Sequence, residues 1–258
     1  MWALVSCDKS DDDILSPSDT GTVTDCQGNT YNTIKIGNQW WMAENLKCNQ
    51  YDTESERKPN APATEILIPE STRPGSMNYG PFYVNVSQSQ TPYSDQLSTE
   101  QRSRLGLLYT WAAAVGESSA TNAQNKITNY TEARQGICPN GWHLPTDDEW
   151  FELIDNLGGI ESAGKAMKTS GGWYTGSSYK AGNNSSGFSV LPSGYDLGTK
   201  TGTEEVPTTF GIGFDANFWC ADANPYARIF SCNTSEIKHF IYAKCTLLSV
   251  RCVKNSDN

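Results

Sequence analysis

Polar and apolar residues alternate with a period of two through Thr30-Tyr31-Asn32-Thr33-Ile34-Lys35-Ile36, which sends successive side chains to opposite faces of a strand. Turn signals bracket this run, Asp25-Cys26-Gln27-Gly28-Asn29 before it and Gly37-Asn38 after it. Thr22-Val23-Thr24 leads into the first turn, and Gln39-Trp40-Trp41-Met42 continues the sheet until Ala43-Glu44-Asn45-Leu46 ends it. Residues 52–104 are rich in Pro, Ser, Thr and Gln and show little periodicity. They read as a long insertion carrying one short helix at Ser98 to Arg104. Leu107 to Val115 is apolar on nearly every side and is expected in the interior.

The clearest helix follows. Thr146 with Glu149 three residues on forms a capping box, Pro145 precedes it, and Asp147, Asp148 and Glu149 suit the positive end of the helix dipole. Trp150, Leu153, Ile154 and Leu157 make the inward stripe, and Gly158-Gly159 stops it. A second short helix is predicted from Ser162 to Lys168. From Gly171 onward short strands and Gly/Asn/Ser turns resume, ending in Leu247-Leu248-Ser249-Val250-Arg251-Cys252-Val253. The order of elements is that of an α+β domain with short antiparallel sheets, two helices and long loops.

Composition narrows the function classes. A net charge of −10 with no basic run argues against a nucleic-acid partner, because counterion release needs clustered Lys and Arg. Solubility accounts for the acidity. No segment reaches the ~18 apolar residues that span a bilayer. Eight cysteines occur without any CxxC pair, and His143 and His239 are the only histidines, so a zinc cage is poorly served and no metal is expected. Disulfides in an oxidising compartment explain the cysteines better. Nucleophile-elbow, P-loop, dinucleotide and HExxH patterns are all missing, and helix capping accounts for Asp147, Asp148 and Glu149 without catalysis. Neither an enzyme nor a cofactor is expected.

The first twenty residues read as an address. Leu4-Val5-Ser6-Cys7 has the form of a bacterial lipobox, with Cys7 as the lipidated residue. Asp8-Lys9-Ser10-Asp11-Asp12-Asp13 is polar and unable to pack, hence a solvated tether. It resembles the acidic signal that sends lipoproteins of Bacteroidetes-type bacteria to the outside of the outer membrane. Only six residues precede Cys7, too few for a signal peptide's basic and apolar regions, so the expectation includes a truncated or misassigned start. An unstructured N-terminus with an incidental cysteine is the alternative. The lipid at Cys7 is the sole expected contact with the membrane.

An ordered set of motifs runs through the rest of the chain. It comprises Ile36-Gly37-x-Gln39-x-Trp41-Met42-Ala43-Glu44-Asn45-Leu46, Leu108-Tyr109-Thr110-Trp111-x-Ala113-Ala114 and Cys138-Pro139-x-Gly141-Trp142-His143-Leu144-Pro145-Thr146-Asp147-x-Glu149-Trp150. Gly187-Phe188-Ser189-x-Leu191-Pro192-x-Gly194, Phe218-Trp219 and Ser249-Val250-Arg251-Cys252-Val253-Lys254 complete it. From about residue 22 to 254 the chain resembles the Fibrobacter succinogenes major paralogous domain, a family of exported bacterial proteins. The resemblance implies one C-type-lectin-like domain over residues 21–258, following a tether at 1–20. It also implies a Cys138–Cys252 disulfide joining the region before the main helix to the last strand, with His143 as a turn or core residue. Cys26, Cys48, Cys220, Cys232 and Cys245 remain; Cys26 and Cys48 both flank the N-terminal strands and are candidate partners, and of the other three one stays free or pairs outside the chain.

Lectin-like domains present ligands near the end of the chain, which here is Cys220 to Thr246. Asp222, Asn224, Tyr226, Arg228, Phe230, His239, Phe240, Ile241 and Tyr242 are the candidate contact residues. His239 to Ala243 does not alternate, so either both faces are buried or one is an aromatic contact surface. Calcium-dependent sugar binding needs Glu-Pro-Asn or Gln-Pro-Asp followed by Trp-Asn-Asp; the sequence has Ala223-Asn224-Pro225 and Phe218-Trp219-Cys220, so no calcium is expected there. Some relatives of this fold are diversified by retroelements that mutate adenines in Asn codons. Cys220, Ala221, Ile229, Cys232, Phe240, Ile241, Ala243, Cys245 and Thr246 are all reachable from AAC; ordinary drift yields the same set. The expected function is a cell-surface module binding an external glycan or protein. The competing expectation is a structural or tip subunit of a surface assembly.

Overall fold

A computed structural model describes residues 19–52, 83–85, 97–116, 134–197, 209–222 and 224–256. The lipobox cysteine, its acidic tether and most of the 52–104 insertion lie outside the described residues.

The period-two run becomes β2 (Thr30–Ile36), in which Tyr31, Thr33, Ile34 and Ile36 are buried and Thr30, Asn32 and Lys35 face solvent. It pairs with β1 (Thr20–Thr24) on one side and β3 (Gln39–Met42) on the other, both antiparallel. The β2–β3 hairpin turns at Gly37, whose φ of +59° suits a residue without a Cβ. Val253 of β13 (Val253–Lys254) pairs with Trp41, and β13 pairs in turn with β6 (Trp142–His143). The first sheet thus has the order β1-β2-β3-β13-β6.

The second sheet runs β11-β10-β9-β7-β12-β5-β4, with β8 paired to β7. Its members are β4 (Tyr83–Asn85), β5 (Leu107–Thr110), β7 (Ser193–Asp196), β8 (Thr209–Ile212), β9 (Asp215–Trp219), β10 (Tyr226–Ser231), β11 (Lys238–Ile241) and β12 (Leu247–Ser249). Most pairings are antiparallel, and β9 is parallel to both β7 and β12. The insertion is not wholly irregular: Tyr83 to Asn85 adds a strand to β5, in register with Leu107 to Tyr109. The apolar stretch from Leu107 is wholly buried, as expected, but divides at Thr110. There the hydroxyl accepts from the Ala113 amide and caps α2 (Trp111–Val115).

The remaining helices are short. α1 (Thr99–Ser103) begins at a capping box formed by Ser98 and Gln101. α3 (Asp147–Asn156) begins at the Thr146–Glu149 capping box and buries Trp150, Leu153 and Ile154. α4 (Ala163–Met167) follows a loop in which Gly158 and Gly159 take positive φ. The architecture is α+β and dominated by its sheets.

α3 lies against an aromatic cluster. Trp150 sits 4.8 Å from Trp41, 5.9 Å from Phe188 and 5.8 Å from Phe218, measured between ring centroids. Burying a phenylalanine side chain contributes about 1.5–3 kcal/mol, and each well-placed aromatic pair about 0.5–1.5 kcal/mol more. Arg251 threads this region fully buried. Its guanidinium donates to Asn45 Oδ1 at 3.0 Å, to Ser189 O at 2.9 Å and to Phe188 O, and it lies 4.5 Å over the Phe188 ring. Burial lowers its pKa to about 9. Cys138 and Cys252 are disulfide-bonded across 114 residues with their Cα atoms 5.9 Å apart, joining the segment before β6 to the segment between β12 and β13.

Candidate functional site

The nine candidate contact residues fall into two groups that the sequence does not separate. β10 pairs with β9 inside the sheet and with β11 at its margin. Phe230 points into the core: it is 1% exposed, 5.8 Å from Phe218 and 6.5 Å from Trp150. Phe230 is therefore a core residue rather than a contact residue. Arg228 is fully buried as well. Its Nη2 donates to the Asp147 carboxylate and, at 3.4 Å, to the Asp147 carbonyl, and its guanidinium lies 4.1 Å over the Phe151 ring. Asp222 accepts the Asp147 amide at 2.8 Å, completing the cap of α3. Burial raises the Asp222 carboxyl, the amide bond opposes this, and Asp147 and Asp148 add to the rise. Arg228 and Asp222 thus tie the hairpin to the start of α3.

The exposed group is different. Lys238, His239, Phe240 and Ile241 of β11 all face solvent, so the non-alternating run is buried on neither face. Phe240 is 55% and Ile241 53% exposed, large values for apolar side chains. Asn224 is also exposed. On one face, half-buried Tyr226 stacks 4.3 Å from His239, whose Nε2 reaches Asp147 Oδ1 at 3.2 Å. On the other, aromatic rings follow one another: Phe240 to Tyr242 at 5.1 Å, Tyr242 to Tyr195 at 6.0 Å, Tyr195 to Phe210 at 6.0 Å. Tyr242 is half-buried, donates to Asn217 Oδ1 at 3.1 Å, and has its phenol pushed up to about 12 by burial. Tyr195 and Phe210 were not among the sequence candidates; they join the ribbon because β7 and β8 place them directly opposite each other.

The turn between β10 and β11 is docked rather than held out. Lys168 is 1% exposed, and its ammonium donates to Lys180 O at 2.7 Å, Ser231 O at 2.9 Å and Thr234 O at 2.8 Å. The Gly164 amide donates to Ser235 O at 3.1 Å, and a Cβ at Gly164 would lie 2.4 Å from that oxygen. Ile237 is fully buried and its amide donates to Ile160 O. The large apolar side chains left exposed in this region, Phe240 and Ile241, are on β11. Among the codon-related positions, Phe240, Ile241 and Ala243 are exposed and Ile229 is half-buried, whereas Cys220, Ala221, Cys232, Cys245 and Thr246 are buried.

His143 is buried in β6, as its assignment to a turn or core implies. Its Nε2 lies 2.7 Å from Glu149 Oε1 and its Nδ1 2.7 Å from Asn255 Oδ1. Burial alone would lower the imidazole, but the Glu149 hydrogen bond and charge outweigh it and the net shift is upward. Glu149 moves down, since His143 and the Thr146 donors overcome its own burial. Beside this pair an open groove of about 340 Å³ runs between the β2–β3 hairpin, α3 and the C-terminal strand, lined by Lys35, Gln39, Trp40, Glu152 and Lys254 among others. Among the described residues no group of three or more His, Cys, Asp or Glu side chains is placed to hold a metal ion.

The Fibrobacter succinogenes major domain model matches residues 34–254, and the chain belongs to that family. No curated protein and no solved structure matches the chain.

Proposed function

We propose that the protein is a non-enzymatic, lipid-anchored module of the outer bacterial surface. It has a C-type-lectin-like frame and binds an external glycan or protein through the β11 strand and the aromatic ribbon beside it. The observation that carries this reading is the run of Phe240, Tyr242, Tyr195 and Phe210, which starts on a marginal hairpin whose turn is held by Lys168 and Gly164. Aromatic rings supply stacking faces for sugars and anchoring side chains for proteins at low conformational cost. A rigid support beneath an exposed strand is what a recognition surface requires. Any sequence diversification would act through Phe240, Ile241, Ala243 and half-buried Ile229, because the buried codon-related positions cannot meet a ligand.

The competing role, a structural or tip subunit, is favoured by one feature. Phe240 and Ile241 are exposed apolar side chains on opposite faces of a marginal strand, whose outer edge is suited to pairing with another protein chain. One experiment separates the two. The full chain and its Phe240→Ala/Tyr242→Ala variant are assayed on a glycan array and by capture of surface proteins from the source cells. Glycan binding that the variant loses supports recognition; capture of one stoichiometric partner with an empty array supports the structural role. Unchanged behaviour of the variant in both assays refutes the aromatic ribbon as the contact surface.

A further inference from the structure

The β1–β2 turn and the segment after Leu46 come together through a set of contacts that has no part in the aromatic ribbon. Asp25 Oδ1 accepts the amides of Gln27 and Asn29, both at 2.9 Å, and Asp25 Oδ2 accepts the Tyr31 hydroxyl at 2.6 Å, so the turn is rigid. Across the gap, Gln27 and Asn49 clamp each other twice. Gln27 Nε2 donates to Asn49 Oδ1 at 2.7 Å, and the Asn49 amide donates to Gln27 Oε1 at 3.1 Å. Cys48 is fixed from beneath, where its carbonyl accepts the Tyr109 hydroxyl at 2.7 Å.

Between these restraints lie two thiols. Cys26 Sγ and Cys48 Sγ are 3.8 Å apart, and both point at the same acceptor, Gln50 O, at 3.5 Å and 3.1 Å. Cys26 is exposed and Cys48 buried. The backbones that carry them are already held together, so side-chain rotation is the main movement needed to bring the sulfurs into bonding range. Burial raises both thiols, which leaves the accessible one to react first.

We propose that Cys26 and Cys48 form a second disulfide, a redox-dependent clasp between the outermost hairpin of the first sheet and the point where the chain leaves for residues 53–82. The oxidant is a disulfide, small or enzyme-borne. The Cys26 thiolate attacks one sulfur of that disulfide and releases one thiolate. The Cys48 thiolate then attacks the Cys26 sulfur of the mixed disulfide and releases the second. Two cysteine thiols are oxidised, one external disulfide is reduced to two thiols, and the two protons pass to the released thiolates. The clasp closes a shorter loop than Cys138–Cys252 does and ties a marginal hairpin whose first strand is mostly exposed.

The test uses the full chain, gently reduced, then exposed to oxidised glutathione, quenched with iodoacetamide and digested without reductant for mass spectrometry. The expected result is a Cys26–Cys48 crosslinked peptide, loss of alkylation at both residues, and a higher urea midpoint than the reduced form. Cys26→Ser, an exposed position that leaves the fold intact, should abolish both the crosslink and the rise. The proposal is overturned if both cysteines stay alkylatable while Cys138–Cys252 is intact, if Cys26 stops at the glutathione adduct, or if either pairs with another cysteine. A crosslink with no change in midpoint overturns its role as a clasp.

Discussion

Lys168→Met removes a buried ammonium while keeping most of the side chain's volume. Three carbonyls lose their donor, that of Lys180 and those of Ser231 and Thr234, drawn from two stretches of chain. A hydrogen bond to a charged group contributes about 1.5–3 kcal/mol net, and the relieved desolvation of the ammonium returns several kcal/mol, so the expected loss is about 2–4 kcal/mol. Two of the three acceptors belong to the β10–β11 turn, so the damage should be concentrated there. Urea unfolding measures the global loss, and amide exchange in residues 231–237 should accelerate more than in α3. The proton adds a second reading. Burial lowers Lys168 to about 8, with the Cys232 charge opposing it. Because an unfolded lysine titrates near ~10.4, the unfolded chain binds the extra proton between these values. Wild type should therefore gain stability over the Met variant as pH rises from about 8 to ~10.4, with a constant gap below that window. A variant within ~0.5 kcal/mol of wild type, with unchanged exchange in the turn, would refute the account of Lys168 as the anchor.

Replacing both Cys138 and Cys252 by Ser opens a long loop and should cost about 4–5 kcal/mol in the chain-entropy model, read as a fall in urea midpoint. Gly164→Ala forces a Cβ against Ser235 O and should destabilise by about 1–3 kcal/mol, with the largest exchange increase again at the turn. Phe230→Ala should cost about 3–5 kcal/mol in thermal unfolding, whereas Phe240→Ala should stay within ~0.5 kcal/mol, because one ring is buried and the other is not. In the His143–Glu149 pair the imidazole is raised and the carboxyl lowered, so the pair stabilises most between the unfolded values, ~4.3 and ~6.5. That contribution fades as pH rises through the folded His143 value or falls through the folded Glu149 value. In Glu149→Gln the His143 titration followed by NMR should move down.

What could be read in advance follows from the range of the forces involved. The start of α3 was legible because a capping box is a local device: Thr146 and Glu149 lie within one turn and need no partner from elsewhere. Ser98 with Gln101 marks α1 in the same way. The Cys138–Cys252 bond followed from family resemblance, since spacing alone does not choose partners among eight cysteines. Phe230 and Arg228 are not legible as interior residues because Tyr226 to Phe230 does not alternate and the partners that bury Arg228, Asp147 and Phe151, are far away in sequence. The strand at Tyr83–Asn85 was missed because three residues carry no periodicity. Lys168 was invisible as an anchor: its partners are backbone carbonyls, which every residue possesses. Tyr195 is one aromatic among small and polar neighbours, and its place beside Tyr242 exists only once β7 and β11 belong to one sheet.

Between Leu247 and Lys254 the chain crosses from one sheet to the other, pairing first with β5, β7 and β9 and then with β3 and β6. On the ribosome this stretch emerges after all of those partners. Until it does, β3 and β6 have no strand between them and β5 has none joining it to β7. Strand edges at these positions stay open until residues 247–254 are available, so the two sheets close together and late, wherever folding takes place.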